Sequence, residues 1–156
     1  MATLKVKVEE SIIIDNQDYN SKRVNTITNV NDICKRIVDI TISETGLLGF
    51  GATTATDLSK TYAAGSYDVD KVFYIRITNL DSTNFIQLIF RDTDNTEFAI
   101  KLAAGHSFIY PGHSSGVVTS MHAGGSALTV SFNDLKDITA DADTDTCKAE
   151  VFVASS

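Results

Sequence analysis

The feature that most constrains the fold is the stretch from residue 71 to residue 102, KVFYIRITNLDSTNFIQLIFRDTDNTEFAIKL, in which apolar side chains recur at every second position. This period, carried by β-branched and aromatic residues, predicts β-strands. Polar segments at 79–84 and 92–95 interrupt it and predict turns, because Asn, Asp and Ser side chains bond their own backbone. We therefore predict a three-stranded β-meander at the core of the fold. Its predicted core side chains are Phe73, Ile75, Ile77, Ile86, Leu88, Phe90, Phe98 and Ile100.

The rest of the chain repeats this pattern in shorter segments. Apolar runs bounded by polar or glycine-rich turns recur about every 8–12 residues, which gives about ten strands, and no segment is long enough for an amphipathic helix. Such spacing is typical of a β-sandwich or a barrel. We predict an all-β fold, an antiparallel β-sandwich. Residues 33–156 form the sandwich domain, and residues 1–32 form an N-terminal arm or edge strands of the same domain.

Charge and composition restrict the partners. The 156 residues carry a net charge of −7, whereas phosphate binding requires clustered Lys and Arg, so neither nucleic acid nor membrane is a predicted partner. No apolar run approaches the roughly 20 residues of a membrane span. The N-terminal sequence MATLKVKVEE lacks the apolar core of a secretory signal. We therefore expect synthesis in a cytosol.

The two cysteines, Cys34 and Cys147, are too few for a disulfide framework. Their even number leaves a bond between them open, but cytosolic proteins keep their thiols reduced. We predict two free, partly buried thiols.

Two segments resemble catalytic or nucleotide-binding motifs but lack the required context. Gly112-His113-Ser114-Ser115-Gly116 matches the G-x-S-x-G pattern of a hydrolase. That motif needs a turn from a strand into a helix within an α/β sheet, and here a proline precedes it and no helix is predicted to follow. Gly49-Phe50-Gly51 lacks the third glycine and the helix of a dinucleotide site. A flexible turn is the favoured interpretation of the first segment, and no catalytic residue is predicted.

Three histidines are candidate metal ligands. His106, His113 and His122 can meet on one side of a small β-barrel and bind zinc or iron. Their spacings of seven and nine residues do not form a tight ligand motif, so surface histidines are the favoured interpretation. A small β-barrel metal- or ligand-binding protein is kept as an alternative from a different functional class.

The acidic segment 141–145 resembles the start of a calcium loop, with Asp141, Asp143 and Asp145 at alternate positions. The glycine and glutamate that such a loop needs at its sixth and twelfth positions are replaced by Thr146 and Phe152. No metal and no cofactor is predicted.

Four segments together resemble small virion structural proteins of tailed bacteriophages, especially those of cyanobacterial and marine hosts. They are Lys35-Arg36-Ile37-Val38, Phe50-Gly51, the segment YIRITNLDSTN at 74–84 and the segment FAIKLAAGHSF at 98–108. The resemblance covers roughly residues 30–110 and consists of an order of features rather than a catalytic fingerprint.

The resemblance implies a jelly-roll-like sandwich without enzymatic activity that is located in the virion after synthesis in the host cytoplasm. We expect a decoration or cement protein on the capsid exterior that stabilises the shell. A tail- or fibre-associated module is the alternative. The implied partners are the major capsid protein or other virion proteins, and further copies of the same chain, with a trimer favoured.

The N-terminal segment gives independent support for self-association. Residues 3–14 carry apolar side chains before the clearest part of the fold begins at Ile33. These side chains must be buried, either in the protein's own sheet or against the sheet edge of a neighbouring subunit. They are Leu4, Val6, Val8, Ile12, Ile13 and Ile14.

Overall fold

The computed structural model describes residues 2–50, 66–110, 118–119 and 133–156. Within these residues almost all of the chain is β-strand, and one 3₁₀ turn at Val69–Lys71 is the only helical segment. The strands are β1 (Ala2–Glu10), β2 (Ile13–Ile14), β3 (Gln17–Asp18), β4 (Ser21–Val30), β5 (Asp32–Ile40), β6 (Thr45–Phe50), β7 (Ser66–Tyr67), β8 (Val72–Asn79), β9 (Ile86–Asp92), β10 (Glu97–Leu102), β11 (Ser107–Tyr110), β12 (Val118–Thr119), β13 (Asn133–Ala142) and β14 (Cys147–Ser155).

The strands from β5 onward form two sheets. One sheet has the order β11-β8-β14-β5, and the other has the order β10-β9-β13-β6-β7, with β12 also paired to β13. All pairs are antiparallel except β6 with β7. Apart from the short strands β7 and β12, the chain changes sheet at every connection except the β9–β10 hairpin. This order is that of a jelly roll, so the predicted all-β sandwich is confirmed.

The core lies between the inward faces of the two sheets. In β9 and over most of β14, alternate residues are buried, as the two-residue period predicts. Leu88 and Ile77, from different sheets, are both completely buried in one cluster. The same cluster also contains Val38, Ile40, Leu47, Leu48, Val72, Ile75, Ile86, Phe90, Ile138, Val151 and Val153.

The predicted three-stranded meander is wrong in one respect. β9 and β10 pair as predicted, from Ile86↔Leu102 to Arg91↔Glu97. β8, however, pairs with β11 and β14 in the other sheet. The period of two identifies a strand with two apolar faces but does not specify its neighbours. Phe98, predicted to be in the core, is 37% exposed on β10 and stacks on Phe90 with ring centroids 4.6 Å apart.

A β-bulge in β8 also changes which side chains face inward. Tyr74 pairs with Ala154, but Val72 pairs with Ser155, so Phe73 is the additional residue. Val72 belongs to the main core, whereas Phe73 and Tyr74 belong to a second cluster. The prediction that Phe73 shares a face with Ile75 is therefore wrong, because a bulge reverses the alternation on one side of it.

The connection between β8 and β9 is fixed by Asn79 and Asp81. Asn79 is fully buried, and its side chain donates to the carbonyl oxygens of Asn84 at 2.9 Å and Leu102 at 3.2 Å. Its Oδ1 accepts from the backbone N–H of Asp81 at 3.0 Å. Asp81 in turn accepts from the N–H groups of Thr83 at 2.8 Å and Asn84 at 2.7 Å. These bonds satisfy backbone N–H and C=O groups at the point where the chain passes from one sheet to the other.

We expect Leu88→Ala to lower the free energy of unfolding by about 2–5 kcal/mol, because it leaves a cavity at a completely buried site. Leu80→Ala is the matched control, since Leu80 is 45% exposed, and it should cost less than about 0.5 kcal/mol. Urea denaturation of both variants measures the difference. Equal effects would show that the core is misassigned.

The turn at Asp81 predicts a pH effect. Hydrogen bonds from the N–H groups of Asn84 and Thr83 hold the pKa of Asp81 below its usual 3.8. The ionised side chain therefore adds stability above pH 3.8, and this stability is lost as pH falls through the lower folded-state pKa.

Asp81→Asn keeps a side-chain oxygen but removes the charge. Between about pH 5 and pH 2, the unfolding free energy of the wild type should fall more than that of this variant. Asp70→Asn, which removes an exposed carboxylate, is the control and should follow the wild type. Parallel curves for the wild type and Asp81→Asn would contradict the assignment.

Candidate functional site

Residues 2–30 form a β-hairpin outside both sheets, which we call the arm. β1 pairs with β4, and β2 pairs with β3. The numbers of the paired residues sum to 31 from Leu4↔Ile27 to Ile14↔Gln17, so one register runs through the arm. Asp15 and Asn16 form its two-residue turn with φ of 51° and 60°. Positive φ at both positions is typical of a type I′ turn, which suits a hairpin.

The arm does not add a strand to either sheet of its own chain. Its two strands pair with each other, and Ile14 lies ten positions after Leu4. At about 3.3 Å per residue, the arm therefore extends for about 33 Å. The tip of the arm is far from its own base.

One face of the arm carries most of its apolar side chains. Alternate residues of each strand, together with the residues paired to them, project to this side of the hairpin. We call it the apolar face. At the base, Leu4, Val6 and Ile27 pack on the outer face of the four-stranded sheet, against Tyr74 and Phe152. The face continues past this contact to side chains that are about half exposed. These are Val8 at 48%, Ile12 at 49%, Ile14 at 52% and Tyr19 at 58%.

The end of the arm combines apolar and acidic groups. We call residues 10–21 the arm tip, and every one of them is exposed. Its carboxylates are Glu10, Asp15 and Asp18, and it contains no Lys or Arg. Ile13, on the opposite face from Ile12 and Ile14, is 68% exposed. Exposed apolar residues in such density mark an interaction site more often than a solvated surface.

A groove lies beside the base of the arm, between β1 and the outer face of β8, β11 and β14. Its volume is about 320 Å³. The described residues that line it are apolar, aromatic or cationic, and none of them is acidic. They are Leu4, Lys5, Val6, Lys7, Tyr74, Arg76, Ile109 and Phe152. We call it the basal groove.

The cations of the basal groove differ in how they are compensated. Arg76 lies over the ring of Phe152, with 5.8 Å between its guanidinium carbon and the ring centroid, and it forms an ion pair with Glu150. Lys5 and Lys7 are exposed, and neither has an ion-pair partner within residues 2–50, 66–110, 118–119 and 133–156. The groove is therefore a positive region on an acidic chain.

Of the candidate metal ligands, the structure describes His106 and the acidic segment 141–145. His106 lies in an exposed turn, and its Nδ1 donates to the carbonyl oxygen of Ala104 at 2.8 Å. His113 and His122 lie outside the described residues, as does the 112–116 segment. Asp143 and Asp145 are exposed between β13 and β14. Among the described residues, no group of three or more His, Cys, Asp or Glu side chains is placed to hold a metal ion.

The two cysteines are not joined by a disulfide, and the sheet holds them apart. Cys34 pairs with Val153 and Cys147 pairs with Ile40, so six positions of β14 separate them. That is about 20 Å, well beyond the roughly 7 Å between Cα atoms that a disulfide can span. Burial raises the pKa of the Cys147 thiol, and the nearby charge of Asp81 raises it further.

Sequence reasoning did not anticipate a charged cluster on the outer face of the other sheet. Arg91 donates to Glu97 at 2.5 Å, Asp137 at 2.9 Å and Glu44 at 3.2 Å. Burial alone would lower the pKa of Arg91, but the bond to Glu97 and the charge of Asp137 raise it. These residues come from four separate strands or loops, and each polar group has a partner. The cluster therefore links neighbouring strands.

Within the described residues, no helix has the length and apolarity needed to cross a bilayer. No protein-family model, curated protein or solved structure matches this chain. The arm and the basal groove, rather than a relative, are therefore the basis for inferring a function.

We expect Cys147 to react with iodoacetamide at pH 8 at least about 100-fold more slowly in the native protein than in denaturant, because the buried thiol must first be exposed by local opening. Its raised pKa acts in the same direction, since only the thiolate is nucleophilic. Peptide mass spectrometry of alkylated protein measures both cysteines. A Cys34–Cys147 bridge, or equal native and denatured rates at Cys147, would contradict the structure.

Proposed function

We propose that this protein is a non-enzymatic structural component of a tailed-bacteriophage particle and that it decorates the capsid exterior and stabilises the shell. The observation that carries the proposal is the arm, a continuous hairpin whose tip is wholly exposed and rich in apolar side chains. Exposure to water does not stabilise the apolar side chains of an extended hairpin, but binding to a neighbouring protein in an assembly can bury them.

The fold is compatible with this function but does not establish it. Jelly rolls occur in viral capsid domains, and also in lectins and cupins, and a fold alone does not fix a function. Two of the segments that carry the sequence resemblance lie in the sandwich. The segment at 74–84 forms β8 and the connection fixed by Asn79, and the segment at 98–108 spans β10 and β11.

The proposed partners are those that the sequence resemblance implies. We propose that the protein acts as a homo-oligomer, a trimer, bound to the major capsid protein or another virion protein. Multiple copies on one particle strengthen weak individual contacts through avidity. The acidic net charge of −7 disfavours direct binding to the packaged nucleic acid or to a membrane.

Quantitative mass spectrometry tests the proposal on gradient-purified particles of a bacteriophage whose genome encodes this chain. We expect a fixed ratio to the major capsid protein in whole particles and in tailless heads, with immunogold labelling on the head exterior. A protein absent from purified particles would refute a structural role.

Two other outcomes identify the alternatives. Labelling on tails, with no protein in tailless heads, would show the tail- or fibre-associated module. A stoichiometric metal in the purified protein, lost when His106, His113 and His122 are replaced by alanine, would show the metal-binding class instead.

A further inference from the structure

We propose that the arm tip of one copy binds the basal groove of a second copy, so that the arms link the chains head to tail. This inference deepens the self-association proposed above, and it concerns the free protein without reference to a particle. The two surfaces belong to the same chain but are complementary in charge and in apolar content.

Charge is the first part of the complementarity. The tip carries Glu10, Asp15 and Asp18 without a cation, and the lining of the groove has three cations without a carboxylate. Lys5 and Lys7, which lack ion-pair partners among the described residues, are the two available to an incoming acidic segment. On a chain of net charge −7, such a positive region attracts the acidic tip of another copy.

Apolar content is the second part. Tyr74, Ile109 and Phe152 offer an apolar floor in the groove. Ile12 and Ile14 of the tip are about half exposed. A volume of about 320 Å³ corresponds to about ten water-sized groups, which is enough for branched aliphatic side chains. The contact would also extend an interface that exists already, because Leu4 and Val6 of the same apolar face pack against Tyr74 and Phe152 at the base of each arm.

Geometry requires a second copy. Since the arm is extended for about 33 Å, its tip cannot return to the groove beside its own base. β1 pairs with β4 on one side, and no strand of the described part of the chain pairs with its other edge. That edge borders the groove and can accept backbone hydrogen bonds from the incoming hairpin. Because tip and groove are different surfaces, the copies join head to tail and close into a ring where the rotation permits.

Two variants separate the tip from the groove. In the tip variant, Asn-Gly replaces residues 11–20 and joins the paired residues Glu10 and Ser21, which keeps the register of the remaining arm and favours a type I′ turn. In the groove variant, Lys5→Glu and Lys7→Glu reverse the two available charges. Lys101→Glu with Lys136→Glu is the control, because it changes the net charge equally on the other sheet.

Analytical ultracentrifugation at up to about 100 µM measures association. We expect the wild type and the control to self-associate, more weakly as salt rises. Each variant alone should be a folded monomer, with a Kd for self-association raised at least about 10-fold. An equimolar mixture should form a 1:1 complex, because the groove variant still has its tip and the tip variant still has its groove.

Three results would overturn the inference. A monomeric wild type at about 100 µM would show that the free protein does not use this contact. A groove variant that associates like the wild type would show tip-to-tip packing instead. A mixture that remains monomeric, while both variants melt at the wild-type temperature, would show that the tip and the groove do not bind each other. Since particle attachment is measured separately, these failures are distinct from failure of the virion proposal.

Discussion

Burial of the inward faces of the two sheets against each other is the interaction on which the rest of the structure depends. Central strand β14 illustrates it, because Cys147, Ala149, Val151 and Val153 are completely buried at alternate positions. Sheets in a sandwich lie about 10 Å apart, so small side chains on one strand leave room for large ones such as Phe90 and Leu88 elsewhere in the same cluster. With this core in place, both outer faces are free to take other roles.

The two sheets differ in what lies on their outer faces. On the six-stranded sheet, Arg91 is largely shielded from water and forms ion pairs with three carboxylates. One of these, Asp137, is only 2% exposed. Removing Arg91 would be costly, because the buried Asp137 would lose the cation that compensates its charge. On the four-stranded sheet, Phe73 and Tyr74 are covered instead by the base of the arm. The bulge in β8 makes this possible, because it directs two consecutive aromatic side chains to the outside.

The arm connects folding to association. Its base is part of the folded unit, whereas the hydrogen bonds that its tip makes to described residues all lie within the hairpin. Isolated two-stranded hairpins are only marginally stable in water. Contacts such as the bond from Ile12 N to Asn20 Oδ1 at 2.7 Å shape the tip but bury little apolar area. Association with a second surface would therefore stabilise the tip as well as join the chains, which links oligomer assembly to order in this segment.

Alternating apolar residues determined, from sequence alone, that the chain is an all-β sandwich, and the polar segment at 92–95 determined the β9–β10 hairpin. These features are local, and the two-residue period and turn chemistry encode them directly. The arm was only partly predictable, because an Asp-Asn turn is a weaker signal than Asn-Gly, and the constant register of its pairs appears only once both strands are aligned. Tertiary structure alone decided that β8 lies in a different sheet from β9 and that Phe73 faces outward. It also decided that Arg91 forms ion pairs with Glu44, Glu97 and Asp137. It also placed Lys5 and Lys7 beside Tyr74 and Phe152 in the basal groove. The physical reason is that each of these contacts joins residues far apart in sequence, and packing between sheets selects among pairings that local pattern leaves equally favourable.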